Sequence, residues 1–489
     1  MRDIAALTVL CHPDLEMVGA RAVATGLFAD RPVAVSRVAP DFVRLDGSRG
    51  PLRDAYLSRD PTVLFLDRAG LRVDCRQVKA SVRVDGEVVT EATWVDLERL
   101  ERGVTLELAD RVLLLLHRAR AERVQPVAGI VGQSDAIVDL WDEIRRAGSH
   151  AAPVLIRGES GSGKELVAQA IHASSGRAGK PFLCANMAAI SPTTAVAELF
   201  GHRRGAFTGA AEARPGWFGN ADGGTLFLDE IGETPQEIQP MLLRVLETGE
   251  IQPVGSPAPA RVNVRVLAAT DAALEEESRQ GKFRFPLLQR LAAHTVTVAP
   301  LRQRRADIGL LLVRFLSEEM GGALPTELDP KNPWLPSSLV ARALEYEWPG
   351  NVRELRNFAR ELVVSRHSGA PLRVGKTFQL LLPSAAQRPV HTPPPSGNQP
   401  QSITEERLLT TLRQNRFRIG ATARALGIAK NTLYQLMEQS SSIRRARDLT
   451  EDEIRAVRAA TAGDTSAMAA VLEVSERGLK LRMRELNID

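Results

Sequence analysis

The sequence predicts a multidomain fold: an N-terminal β-sandwich, a central α/β domain with a helical continuation, and a C-terminal all-α helix-turn-helix region. Three observations carry this expectation. Short apolar segments with period-two alternation fill roughly the first 120 residues. A glycine-rich loop, GESGSGKE, sits between an apolar strand and an amphipathic helix. After a proline-rich stretch, the last part of the chain repeats itself at an offset of 46 residues.

Length and composition set the bounds. The 489 residues suffice for about three domains at ~150 residues each. A hydrophobic share of 44% and a charged share of 25% are ordinary for folded, water-soluble proteins and exclude wholesale disorder. Three scattered cysteines, Cys11, Cys75 and Cys184, exclude a disulfide scaffold or a zinc ribbon and suit a reducing compartment. The N-terminal apolar run breaks at His12–Asp14 and lacks a small-residue cleavage site, and no stretch approaches a membrane span, so a cytoplasmic location without membrane contact is expected. A net charge of +4 permits nucleic-acid contact without demanding it.

The elements follow in order. Segments such as LTVLCH, RPVAVSR, PTVLFLD, LRVDC and VTLELADRVLLLLHR build the sandwich over residues 1–122. Over 123–301, the runs PVLIRG, TLFLDEI and VNVRVLAAT alternate with helical stretches, the pattern of a parallel sheet buried on both faces. Residues 302–382 read as helical, and 383–402, rich in Pro, Ser and Gln, as a linker. The repeat aligns Thr404 with Thr450, Leu426 with Leu472 and Leu433 with Leu479, which predicts two copies of one trihelical unit, 403–447 and 448–489.

The loop Gly158, Glu159, Ser160, Gly161, Ser162, Gly163, Lys164, Glu165 has the context a phosphate-binding loop needs. Its glycines let N–H groups converge on phosphate oxygens, Lys164 adds positive charge, and the helix N-terminus adds its dipole. Glu165 stands where a serine or threonine usually meets magnesium, so metal binding leans on other ligands or water. The strand ending in Asp229 and Glu230 supplies one acid for Mg2+ and one to polarise the attacking water, which makes ATP with Mg2+ the expected cofactor pair. Between them, Phe207 and Thr208 stand between Gly205 and Gly209, a composition suited to a flexible loop offered to a partner or to an ordinary surface loop.

GAFTGA (Gly205, Ala206, Phe207, Thr208, Gly209, Ala210), together with GESGSGKE, GGTLFLDEI and WPGNVREL, resembles the AAA+ domain of bacterial sigma-54-dependent transcriptional activators over about residues 129–370. The resemblance implies an ATPase ring, usually a hexamer, in which GAFTGA contacts sigma-54 and hydrolysis opens the polymerase holoenzyme's closed promoter complex. It implies that Asn186 pairs with the catalytic glutamate and switches it with nucleotide state, that Thr270 and Asp271 form the first sensor with aspartate in place of the usual asparagine, that Arg284 and Arg290 are trans-acting arginine fingers, and that Arg353 is the second sensor. An AAA+ remodeller of another protein target and a passive DNA-binding repressor are the alternatives.

The first C-terminal unit resembles a Fis-type DNA-binding domain. It carries nine Lys or Arg against three acids, net +6, and places Lys430, Asn431, Thr432 and Gln435 where a helix can meet enhancer DNA. The second unit is net −3, with Gly478 inside its equivalent helix, and reads as a degenerate or dimerising copy. The sandwich resembles a forkhead-associated domain, which implies a phosphothreonine-containing partner held by Arg37, Ser58 and Arg59 beside the turn Asp85-Gly86. Ser36, Pro61 and Asp85 depart from that family's pattern.

Overall fold

The structure is a computed structural model. It describes residues 3–365 apart from 25, 28–30, 68–69, 121–124, 209 and 323–332, and beyond 365 residues 372–375, 378–379, 405–415, 417, 422, 426, 433, 440, 448–461, 465–474, 479–480, 482–483, 486 and 488. It divides into two units, 1–385 and 386–489. No helix among the described residues is long and apolar enough to cross a membrane.

The first unit opens with the expected sandwich. One sheet runs Arg49–Gly50, Phe42–Val43, Arg21–Val23, Asp3–Cys11, Val112–Arg120, Val104–Leu108, Val82–Val84, Glu87–Val88. The other runs Ala92–Val95, Gly70–Asp74, Thr62–Asp67, Val33–Val35, and every pairing in both is antiparallel. Alternation decides which side chains enter: Leu64, Leu71 and Val73 from one sheet meet Leu7, Val9, Leu106 and Leu114 from the other in a common core. Gly70, at φ +144°, is where the chain folds back, and a Cβ there would lie 2.3 Å from the carbonyl oxygen of Val95.

The central sheet has the order Phe182–Asn186, Thr225–Asp229, Arg265–Thr270, Val154–Arg157, His294–Thr297, all parallel. Its strands are apolar almost throughout because helices cover both faces. Their carboxyl ends therefore present Gly158, Asn186, Asp229 and Thr270 along one edge, where open α/β sheets bind ligands.

The helical segment, with helices Ile308–Glu319, Ser337–Glu345 and Asn351–Val364, packs on this domain and also on the sandwich. Leu10, Cys11, Leu113 and Leu115 of the sandwich share one apolar core with Leu301, Ile308, Leu312, Leu335 and Trp348. The approach is close: a Cβ on Gly309 would lie 2.2 Å from the Leu10 carbonyl oxygen. Burial pushes the Cys11 thiol up to about 12, so it packs as a small hydrophobe.

Buried Asp307 ties the helical segment to the start of the central domain. It accepts hydrogen bonds from Gln133 N (2.6 Å), Ser134 N (2.8 Å) and Ser134 Oγ (2.6 Å). Asp307→Ala strands all three donors, and a loss of about 3 kcal/mol of unfolding free energy is expected from urea melts followed by tryptophan fluorescence. Asp307→Asn, which keeps an acceptor oxygen, is expected to lose less.

In the second unit, the described helices are Glu405–Gln414, Glu451–Ala460 and Thr465–Val471. Thr450 and Glu453 form a reciprocal capping box at the start of the middle one. Positions 46 residues apart are buried in both copies of the repeat: Leu408 and Ile454, Thr422 and Met468, Leu426 and Leu472, Leu433 and Leu479. The expected linker, and the side chains of Lys430, Asn431, Thr432 and Gln435, lie outside the described residues.

Candidate nucleotide site and output loop

The strand Val154–Arg157 delivers Gly158 to the sheet edge, and the loop closes on the helix Lys164–Ala173, capped by Gly163 at φ +108°. Gly161, at φ +74°, is hemmed in from the other side, where a Cβ would lie 2.3 Å from the Gly350 carbonyl oxygen. Glycine is therefore required at this position of the loop. Lys164 is only 7% exposed; its Nζ donates to Gly158 O at 3.0 Å and stands 3.8 Å from Glu230 Oε1.

Glu230 has the left-handed backbone conformation, φ +51°, uncommon for a side-chain-bearing residue and costing of order 1 kcal/mol. Burial pushes its carboxyl above the ordinary range; Lys164 opposes this, while Asp271 and Asp229 add to it. Thr270 is buried, its hydroxyl accepting from Ala272 N at 3.0 Å. Asp271, the residue after Thr270, thus adds its carboxyl to that of Asp229 beside Glu230.

Two of the expected site residues have side chains engaged by neighbours within this structure. The Glu159 carboxylate is gripped by Arg302 at 2.8 and 2.5 Å, and Asn351 Nδ2 donates to it at 3.1 Å. The Arg302 bonds, then that of Asn351, hold its carboxyl down at about 2. Asn186 is not hydrogen-bonded to Glu230 among the described residues; its side-chain oxygen accepts from Ala188 N at 2.9 Å, capping the next turn. Glu165, exposed on the first turn of the loop's helix, accepts from Gln169 at 3.3 Å. No cluster of three metal-ligating side chains occurs among the described residues. Asp229, half-buried at its strand end, suits a magnesium ion that keeps waters and takes one or two protein carboxylates beside substrate phosphates.

Arg353 reaches Ser160 Oγ at 3.4 Å, and the first amides of its helix, Val352 N and Arg353 N, donate to Gly161 O at 3.0 and 3.3 Å. Arg284 and Arg290 are exposed at the two ends of the helix Phe285–Leu291. Arg290 Nε donates to Leu246 O at 3.1 Å. Buried Gln239, which sequence reasoning missed, bonds Thr234 O, Lys282 O and Arg284 N and so sets where Arg284 begins. A lone buried glutamine gives no pattern in a sequence.

Two backbone hydrogen bonds close a turn among the described residues of the GAFTGA segment. Gly205 N donates to Ala210 O at 2.8 Å, and Ala210 N to Phe207 O at 3.0 Å. Phe207 is 47% exposed, resting on His202 with ring centroids 5.0 Å apart, and Thr208 is exposed. Gly209 lies outside the described residues.

At one end of the sandwich, Arg37 N donates to Ser58 O (3.1 Å), which joins the two loops carrying Arg37, Ser58 and Arg59. Arg59 is exposed and Arg37 half-buried. The Asp85 carboxylate is already engaged, by Arg99 at 2.7 Å and by Thr105 N at 2.8 Å.

Residues 130–297 match the Sigma-54 interaction domain family, and residues 302–381 the AAA+ ATPase lid domain family. The chain is 37% identical over 354 residues to the anaerobic nitric oxide reductase transcription regulator NorR of Vibrio vulnificus (strain CMCP6), covering 70% of this chain and 68% of that one. It is 40% identical over 335 residues to the DNA-binding transcriptional regulator NtrC of Salmonella typhimurium, 64% of this chain and 70% of that one. Among solved structures, NtrX from Brucella abortus in complex with ATP is 30% identical, with coverage of 64% and 69% and a TM-score of 0.46.

Proposed function

The chain belongs to the sigma-54-dependent transcriptional activators and carries their AAA+ ATPase activity; from that premise we propose that the loop 158–165 holds the triphosphate and that hydrolysis moves GAFTGA against sigma-54. The convergence of Lys164 and Glu230 at the sheet edge, 3.8 Å apart, carries this reading. Lys164 transfers its donor from Gly158 O to the phosphate oxygens. Glu230 orients a water and takes its proton as the water oxygen bonds to the γ-phosphorus and the bond to the ADP oxygen breaks. Asp229 is the residue that would hold Mg2+, which when bound neutralises charge on the triphosphate. Asn186, Thr270 and Arg353 report nucleotide state.

Arg284 and Arg290 complete the site of a neighbouring subunit in a ring, most simply a hexamer. Their exposure on one helix supports this. Turnover per subunit is then expected to fall at least about tenfold on dilution through ring dissociation, since an arginine finger is worth ~10³ or more in rate. A flat dilution profile in a coupled ATPase assay would count against fingers acting between subunits.

The C-terminal repeat is proposed as a Fis-type helix-turn-helix unit, Lys430, Asn431, Thr432 and Gln435 meeting enhancer DNA, followed by a divergent second copy. The shared burial pattern of the two copies supports their common fold. The sandwich is proposed as a forkhead-associated-like sensor, with Arg37, Ser58 and Arg59 facing a phosphothreonine peptide. The whole function is tested by promoter melting with purified protein and sigma-54 holoenzyme, which requires ATP on this reading. Opening without nucleotide would remove it.

A further inference from the structure

The short segment Arg302–Asp307 touches three parts of the molecule at once. Arg302 holds the Glu159 carboxylate (2.8 and 2.5 Å), and Arg304 Nη2, buried, donates to Ser162 O at 3.1 Å. Both contacts fall on the loop proposed to hold the triphosphate. The next residue faces the other way: Arg305 Nη1 donates to the carbonyl oxygens of Arg102 (3.0 Å) and Gly103 (3.3 Å), at the C-terminal end of the sandwich helix Leu97–Arg102. Asp307 fixes the far end of the segment on Gln133 and Ser134. Sandwich and phosphate loop are thus joined through two adjacent arginines, Arg304 and Arg305.

We propose that Arg305 is a positioning residue for the nucleotide site: it anchors the segment Arg302–Asp307 on the sandwich, so that Arg302 and Arg304 hold the phosphate loop in its binding shape. The physical reason is preorganisation. A loop that binds phosphate through backbone N–H groups loses affinity when those groups must be ordered on binding. Glu159 sharpens the requirement, because an unpaired carboxylate in an anion-binding loop repels the ligand and Arg302 neutralises it. The carbonyl oxygens that receive Arg305 belong to the last turn and cap of a helix, where partial negative charge favours a cation. Arg305 thus adds a polar tie to the apolar contact between sandwich and helical segment, and it is the tie next in sequence to the arginine that holds the phosphate loop.

This inference rests on residues 158–165 being the ATP site, and the experiment separates the two. Steady-state ATPase kinetics and binding of a fluorescent ATP analogue are measured on the full chain for Arg305→Ala, Glu159→Gln, the double variant, Arg305→Lys and Lys164→Ala. Arg305→Ala is expected to raise the ATP KM and the analogue Kd about threefold to tenfold, with kcat at saturation changed less than about twofold. Arg305→Lys, still able to donate to both carbonyls, is expected to restore most of the affinity. The double variant is expected to be no weaker than the worse single variant, because both changes release the same strap. Multiplying effects in the double variant, or an unchanged KM in Arg305→Ala, overturns the proposal. Where Arg305→Ala melts below the assay temperature, Arg305→Gln serves the same cycle. If Lys164→Ala binds the analogue as tightly as the native chain, the assignment of the ATP site falls instead.

Discussion

Replacing Lys164 with alanine is expected to lower ATP turnover at least about 10²-fold while leaving the protein folded. The side chain is almost fully buried, yet among the described residues its ammonium meets a backbone carbonyl and one carboxylate, so it contributes charge at the site more than packing. A unit charge about 4 Å from an anion is worth ~4 kcal/mol at an effective dielectric constant near 20. That matches a rate factor of ~10³, of which the variant forfeits most. A second effect has the same sign: Lys164 is the group that holds the Glu230 carboxyl down against burial and its acidic neighbours. Without it the Glu230 carboxyl is pushed further above the ordinary range, which makes the ionised base harder to form. Purified Lys164→Ala with native circular dichroism and native ATPase turnover would sink the assignment.

Thr208→Ala is expected to separate the motor from its output. The loop's turn is made by backbone bonds, Gly205 N to Ala210 O and Ala210 N to Phe207 O, and the Thr208 side chain takes no part in them. Alanine therefore leaves the loop's shape and the distant phosphate site alone, and ATPase activity is expected within about twofold of native. What disappears is a hydroxyl and a methyl group presented to sigma-54 beside Phe207. Interface residues at the centre of a small patch can carry more than 2 kcal/mol each. Promoter opening is accordingly expected to fall by more than about tenfold in the melting assay with sigma-54 holoenzyme. Loss of ATPase and opening together would mean that the loop is part of the motor; loss of neither would remove Thr208 from the contact.

Much of the architecture was legible in one dimension. Period-two alternation marked the long sandwich strands, and continuous apolar runs marked the central sheet. The strands Arg21–Val23, Phe42–Val43 and Arg49–Gly50 were not legible, because two or three residues are too few to display a period. The repeat was visible as an offset of 46 residues, and its burial pattern follows the same offset.

By itself the sequence determined which chemical groups the protein has at its disposal and in what local setting: a glycine loop ending in Lys164 before a helix, two acids at a strand end, and Phe207 and Thr208 in a glycine-flanked turn. These signals are local, since strand, loop and helix propensities act over a few neighbouring residues. Only the tertiary structure decided where the side chains point. It turned Glu159 onto Arg302 and Asn351, residues 143 and 192 positions away. It brought Asp271 against Glu230, and it merged Leu10 and Leu113 with the core around Trp348. Burial and charge pairing at such separations depend on how whole layers stack, and no periodicity along the chain records that.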